Sequence, residues 1–405
     1  MSAQFDHGRE LLMNFTVNLR VLYVFRFFSS LIPAYVIERL YWEERGMTIQ
    51  MVVYAEIIYA VTIVLLEVPT GMIADRWSRK RMLVISALLG CAEFLILLFA
   101  TEFWHFALVV FLAGISRSAS SGSENALLYD TLMLQGKASF FEKQLGRLNA
   151  VDLAGAILAA LSGSLLANRF GLELNYALSL CSALIALLLT FLLVDPPAAA
   201  GGAPEEEAVP VRQYVTESLR FFRRNPGVCL VVLSGMVTGT AIGFVDEFWQ
   251  LHVDRLGVPI IYFGLMSSVI MLLRLPGSLL AHALLGRFSY RSLILSITAI
   301  FAIGFAIAAA SRSYAGLSAI LLVCLFSGVM EPLVTGYLHR RIDSAIRATI
   351  DSFQSLGLNL VHILGGLGFG YFASRYDVFG GYGFIAVLCF AFLVWFFAAS
   401  RIIER

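Results

Sequence analysis

The sequence predicts an all-α membrane protein of twelve transmembrane helices in two halves of six. Three observations carry that class. The 405 residues are 59% hydrophobic and only 14% charged. The apolar runs recur at roughly 20 residues, the length a helix needs to cross about 30 Å of hydrocarbon. Basic residues gather in the turns on one side of those runs. A soluble chain of this make-up would precipitate, and a net charge of +1 offers no basic face for nucleic acid.

Taken in order, the spans fall at 17 to 40, 48 to 74, 82 to 101, 103 to 127, 148 to 168, 173 to 194, 227 to 250, 258 to 285, 291 to 311, 314 to 338, 349 to 374 and 380 to 400. The first follows Asp6, Arg9 and Glu10 and has no small-residue cleavage site, so it reads as an uncleaved helix. Between the second and third lies the densest cationic turn, Gly71 to Arg81, which lipid cannot hold. After the sixth comes Asp195 to Pro210, rich in Pro, Gly, Ala and Glu, which cannot bury a core and reads as a linker. Val211 to Arg224 then places Val215, Leu219 and Phe222 on one helical face, as expected of a helix lying along the membrane surface. The organisation expected is a bundle over 1–194, a linker with its surface helix over 195–225, and a second bundle over 226–405.

With both termini on the cytoplasmic side, twenty of the 29 lysines and arginines fall on that side, six fall on the other, and Arg26, Arg117 and Arg274 lie inside spans. The basic turns are expected to meet anionic lipid headgroups of the cytoplasmic membrane. Cys91, Cys181, Cys229, Cys324 and Cys389 are isolated within apolar spans, which suggests packing and neither a metal site nor disulfides. The halves echo each other. Glu67-Val68-Pro69 precedes the basic turn near the end of the second span. Arg274-Leu275-Pro276 precedes Gly286 to Arg291 near the end of the eighth.

At these residues the chain resembles the major facilitator superfamily. That family's signature between its second and third helices is G-x-x-x-D-R-x-G-R-R/K. Gly71, Asp75, Arg76, Arg79 and Lys80 match it, with Ser78 in place of the second glycine. The run Gly122 to Asp130 and the triplet Arg347-Ala348-Thr349 look like a bacterial subgroup. The resemblance implies two six-helix bundles around a central substrate cavity that opens alternately to each side, with helices 1, 2, 4 and 5 lining the N-terminal half. It implies that Asp75 latches the halves and that Arg79 and its neighbours hold the turn. A plain topological anchor is the other reading of that turn.

Charged groups inside the spans are the candidate cavity residues, because each costs at least about 2.5–3.5 kcal/mol in lipid unless it finds a partner. Tyr23, Arg26, Ser30 and Pro33 share one face of the first span; Glu56, Tyr59 and Glu67 share one of the second; Arg117, Ser121 and Glu124 one of the fourth; and Asp152 begins a small-residue stripe on the fifth. Counting rise places Arg26, Arg117 and Asp152 at one depth, as a cluster of two arginines and a carboxylate, with Glu56 farther out. Substrate or proton handling and a static ion-pair network both fit, and the two arginines also suit an anionic group. Glu93 in the third span is either lipid-facing or a proton relay. In the second half, Arg274 and Glu331 are expected to pair. Ser355, Asn359, His362 and Gly366 form a polar stripe on the eleventh span, where His362 is either a titrating group or a neutral hydrogen-bonding one. Asp246 and Glu247 are placed at the outer end of the seventh span, gating or solvated.

No phosphate-binding loop is present, since Gly136-Lys137 lacks the upstream glycine and the following Ser or Thr. No nucleophile, base and orienting group fall together, so no enzyme is expected and no cofactor. The function expected is a secondary transporter moving a small organic solute outward, coupled to protons. The absence of a Gly-Pro pair on the fifth span weakens drug efflux in particular. The alternatives are import of an anionic nutrient or metabolite through Arg26 and Arg117, and a solute sensor that transports nothing. The partners expected are a small-molecule substrate, protons and membrane lipids, with no nucleic acid, and a monomer.

Overall fold

The computed structural model describes residues 17–195, 220–341 and 347–400, and the side chains at 67, 68, 71, 72, 74–76 and 347–353 lie outside that description. Gly71, Asp75 and Arg76 of the signature, Glu67, and the Arg347-Ala348-Thr349 triplet belong to those excluded side chains. Most of the expected linker and surface helix also lies outside the described residues, apart from a helical turn at 220–224.

The described residues are all-helical. Helix α1 (17–30) is shorter than its predicted span, because the chain leaves the helix at 31–32 and Pro33 opens a 3₁₀ turn, Pro33–Val36. A short helix, Glu38–Glu44, follows. Helix α2 (Ile49–Arg76) carries Pro69 inside it. Next come α3 (Arg79–Phe99), α4 (Phe103–Leu134), α5 (Phe141–Phe170) and α6 (Glu173–Leu192). Helices α4 and α5 extend about two turns past their predicted apolar limits, since the straight-chain Leu, Met, Glu, Lys, Gln and Arg of 128–134 and 141–147 lose little rotamer freedom in a helix.

The second set is α7 (Pro226–Arg255), with Pro226 at the first turn, α8 (Phe263–Leu285), α9 (Tyr290–Ala310) and α10 (Tyr314–His339). The last continuous run, Arg347–Ala399, breaks at Tyr376 and Asp377, where Asp377 has φ 58° and ψ −169°. The break divides the run into α11 (347–375) and α12 (378–399). Eleven stretches of the described residues are long and apolar enough to span a membrane, and this 46-residue last stretch, Gln354–Ala399, counts as two. A non-glycine residue in that backbone region is strained by roughly 1–3 kcal/mol. Here Arg255 Nε donates to the Asp377 carboxylate at 2.8 Å and the same carboxylate accepts the Val378 N–H at 2.7 Å, which offsets the strain.

The two halves share their punctuation. Prolines sit inside both α2 and α8 (Pro69, Pro276). Serine caps start both α3 and α9, with Ser78 accepting from Arg81 N–H at 3.1 Å and Ser289 from Ser292 N–H at 3.2 Å. The serine that replaces the signature glycine is therefore a working N-cap.

The described chain folds as two compact units, one of 17–47, 55–195 and 260–265, the other of 48–54, 220–259, 266–341 and 347–400. In the first, Val21, Leu22, Leu83, Leu127, Leu128, Leu132, Leu148 and Leu193 form a core that joins α1, α3, α4, α5 and the end of α6. Buried Asn18 ties α1 to the end of α6, donating to Val194 C=O and accepting from its N–H, both at 2.7 Å. The second unit is aromatic at its centre: Phe244 and Phe248 of α7 stack on Phe369 of α11, each with ring centres 4.7 Å apart. The outside carries apolar side chains such as Leu279, 82% exposed, and Trp104, 76% exposed. They suit lipid contact, with the tryptophan at a helix start near the headgroup level.

Candidate functional site

In the first unit, helical spacing on α1 aims Tyr23, Arg26 and Ser30 at α4 and α5. Arg26 Nε donates to the carboxylate of Glu124 on α4, and Arg26 Nη1 stands 3.5 Å from Asp152 Oδ1 on α5. Ser30 donates to that same Asp152 oxygen, and the Tyr23 hydroxyl donates to Gln144 Oε1 at 2.6 Å. Glu124 is deeply buried, with 9% of its side chain exposed, while 44% of Asp152 is open. One guanidinium thus serves two acids, leaving one net negative charge.

This corrects the expected two-arginine cluster. Arg117 is exposed and makes no ion pair among the described residues. It stands seven residues before Glu124 on α4, about 10 Å along the axis, near enough for its charge to act on Glu124 without forming an ion pair. Glu124 takes the place assigned to it. The signal was present in the Arg117, Ser121, Glu124 face, but counting depth from helix ends misjudged α4, which runs two turns longer than its apolar core.

Glu56 has a different partner from any expected. Arg39 of the short helix, only 4% exposed, folds inward and its Nη2 donates to Glu56 at 2.7 Å, with the guanidinium 4.5 Å over the Trp42 ring. The arginine counted on the outer surface is therefore a buried ion-pair partner. Tyr59, one turn on, is half-buried where α2 passes Gly114 of α4; a Cβ at Gly114 would come within 2.8 Å of Thr62.

At the basic turn, Arg79 pairs with Asp130 and donates to Ala126 C=O at 3.0 Å. Lys80 Nζ donates to Phe191 C=O at 2.9 Å, and Asp195 accepts from both Ser78 Oγ and the Lys80 N–H. The turn is fastened to the ends of α4 and α6, where cations suit helix C-termini.

In the second unit, a cavity of about 520 Å³ opens among α7, α8, α10 and α11, with Phe301 of α9 at its wall. Arg274 and Glu331 both line it, yet they do not pair. Arg274 instead grips Asp246 of α7 with two nitrogens, Nη2 to Oδ1 and Nη1 to Oδ2, the latter at 3.1 Å. The expectation of an Arg274–Glu331 pair fails on helix register. Helix α7 continues to Arg255, so Asp246 lies about 14 Å inside its end and level with Arg274 on antiparallel α8. Asp246 is thus inside the bundle, away from the outer mouth where the sequence places it. Glu331 is exposed to the cavity and has no ion pair among the described residues. On α11 the polar stripe does not act together. Asn359 donates to its own helix at Ser355 C=O (3.0 Å), His362 stacks on Phe244 at 4.7 Å and 8°, and neither lines the cavity.

The sequence profile of the Major Facilitator Superfamily matches residues 19–259. Multidrug resistance protein MdtG of Citrobacter koseri is 26% identical over 372 residues, 86% of this chain and 84% of that one. MdtG of Salmonella arizonae is 25% identical over 258 residues, so this chain spans about three fifths (61%) of that relative's length and 62% of its own. Among solved structures, the nucleoside transporter NupG superposes with a TM-score of 0.76 at 17% identity, covering 95% of this chain and 99% of that one. The D-xylose-proton symporter does so at 0.68 and 14%, covering 94% and 97%. At such identities the structural likeness shows the fold. With a match over more than half of its length, twelve spans and the basic signature turn, the chain belongs to the Major Facilitator Superfamily, a family of membrane transporters and not of enzymes.

Proposed function

We propose that this transporter exports a small organic solute in exchange for protons, and that the cluster of Arg26, Glu124 and Asp152 carries the coupling. The observation behind this is the single arginine shared by two carboxylates within the first bundle. With both acids ionised the cluster holds one negative charge in a medium of low dielectric, where that charge is costly. One proton on either acid neutralises it and frees Arg26 to rest wholly on the other. Taking up that proton on one side of the membrane and releasing it on the other is what the cluster contributes to exchange. The multidrug resistance names of the MdtG relatives support an outward direction.

In this reading the bundles over 1–194 and 226–405 alternate access across the cytoplasmic membrane, with the termini and the 195–225 linker in the cytoplasm. Gly71, Asp75, Arg76, Arg79 and Lys80 form the gate on that side, and the protein acts as a monomer among lipids. Import of an anion is less well supported, because Arg26 is already held by two acids and Arg117 stands apart from it.

The test is flux of a panel of labelled solutes of both charges in proteoliposomes, with and without a pH gradient. Gradient-driven transport that Glu124→Gln and Asp152→Asn uncouple is the expected result. Transport indifferent to the gradient and unchanged in both variants would defeat the coupling.

A further inference from the structure

We infer that the cavity of the second unit is a binding site for a drug-sized amphipathic monocation, with Glu331 as its counter-charge. This deepens the transport reading and depends on it only for movement of the ligand, not for its binding. The volume, about 520 Å³, lies within the roughly 300–1,000 Å³ of small-molecule sites.

The charge account decides the ligand's sign. Arg274 is the one cation among the lining residues, and Asp246 cancels it through two hydrogen bonds. Glu331 keeps an exposed carboxylate with no ion pair among the described residues. The cavity therefore offers a single uncompensated negative charge. Attraction between that charge and a bound cation strengthens as the ligand displaces water and the effective dielectric falls. An anionic solute would meet repulsion instead.

The walls decide the rest of the ligand. Met236 and Met330 are flexible and polarisable, suited to apolar groups of varied shape. Ser327 spends its hydroxyl on Cys324 C=O at 2.7 Å, and Ser278, Thr335 and Gln354 supply the remaining neutral polar side chains of the wall. An apolar body bearing one positive charge matches the methionines and Glu331 together.

The experiment uses the purified full chain in lipid nanodiscs and radiolabelled tetraphenylphosphonium, with tetraphenylborate as the anion of matching shape. Saturable binding of the phosphonium, not competed by the borate, is expected. Glu331→Gln should raise its Kd at least tenfold, about 1.4 kcal/mol, and Glu331→Asp should restore binding to within a few-fold. In the wild-type protein, the phosphonium should also protect Glu331 from carbodiimide modification, a readout that needs no variant to fold. Absence of saturable binding, equal competition by the borate, unchanged affinity in Glu331→Gln, or absence of protection would each overturn the site. Glu331-dependent binding without any flux would sink the transport reading while leaving the site intact. Flux of the phosphonium that ignores Glu331 would do the reverse.

Discussion

Each half holds one cluster in which an arginine stands near two acids, and the two clusters use it differently. In the first, Arg26 lies between Glu124 and Asp152 and both acids touch it. In the second, Arg274 is committed to Asp246, and Glu331 is left facing a cavity. Helix 4 supplies Glu124 and helix 10 supplies Glu331, each shortly after a Ser-Gly pair but at different spacing. The difference is which neighbour brings the arginine: α1 in one case, α8 in the other. A closed triad suits storage of a proton, and an open acid suits a ligand. One duplicated plan can therefore divide coupling and recognition between its copies.

The comparison breaks most readily at Arg26. Arg26→Leu leaves Glu124 buried and uncompensated, and loss of one partner of a buried pair costs about 3–5 kcal/mol. A large drop in melting temperature and loss of gradient-driven flux are expected, with the drop partly recovered in Arg26→Leu combined with Glu124→Gln. An additive double variant would show that the two groups do not interact. Next is Glu331→Gln, which should change cation affinity as described while barely moving the melting temperature, because the carboxylate has no ion pair to lose.

Arg274→Leu should destabilise much less than Arg26→Leu, by about 1 kcal/mol, since 32% and 43% of the two side chains in its pair are exposed. Binding of the phosphonium should survive it. A melting shift as large as that of Arg26→Leu would remove the asymmetry between the halves. The smallest effect belongs to Ser78. Ser78→Ala removes the N-cap of α3 and should cost about 1 kcal/mol, whereas Ser78→Gly, the residue of the family signature, should cost a few tenths. Thermal unfolding of both variants in one detergent measures the ratio, and equal losses would show that the bond to Asp195, not the cap, is what Ser78 contributes.

Much of the fold was legible along the chain. Lipid admits only helices of a set length, so Leu, Phe, Val and Ala runs announce themselves, and serine, proline and glycine mark their ends. Even Pro33, which ends α1 early, and the long α11–α12 run, which needs the Asp377 break, differ from expectation by local chemistry alone. The site was legible only in part. Arg26, Asp152 and Arg274 stood out because charge in an apolar span demands a partner. Depth brought Arg26 and Asp152 together, but Glu124 and Asp246 were missed as partners, because a residue's depth depends on where its helix truly ends, and α4 and α7 end beyond their apolar stretches. Arg39 shows the same limit from the other direction: counted as a surface cation, it turns back into the bundle to meet Glu56.

What the sequence determined by itself was the class, the number and approximate placement of the spans, and the presence of charged residue types that must turn inward. These follow from hydrophobic length and charge, which are properties of single segments. The pairing of Arg26 with two acids, the choice of Asp246 over Glu331 by Arg274, and the cavity beside that unclaimed acid were decided by tertiary structure. Rotation and register between helices far apart in the chain set which charges meet, and no single segment contains that information.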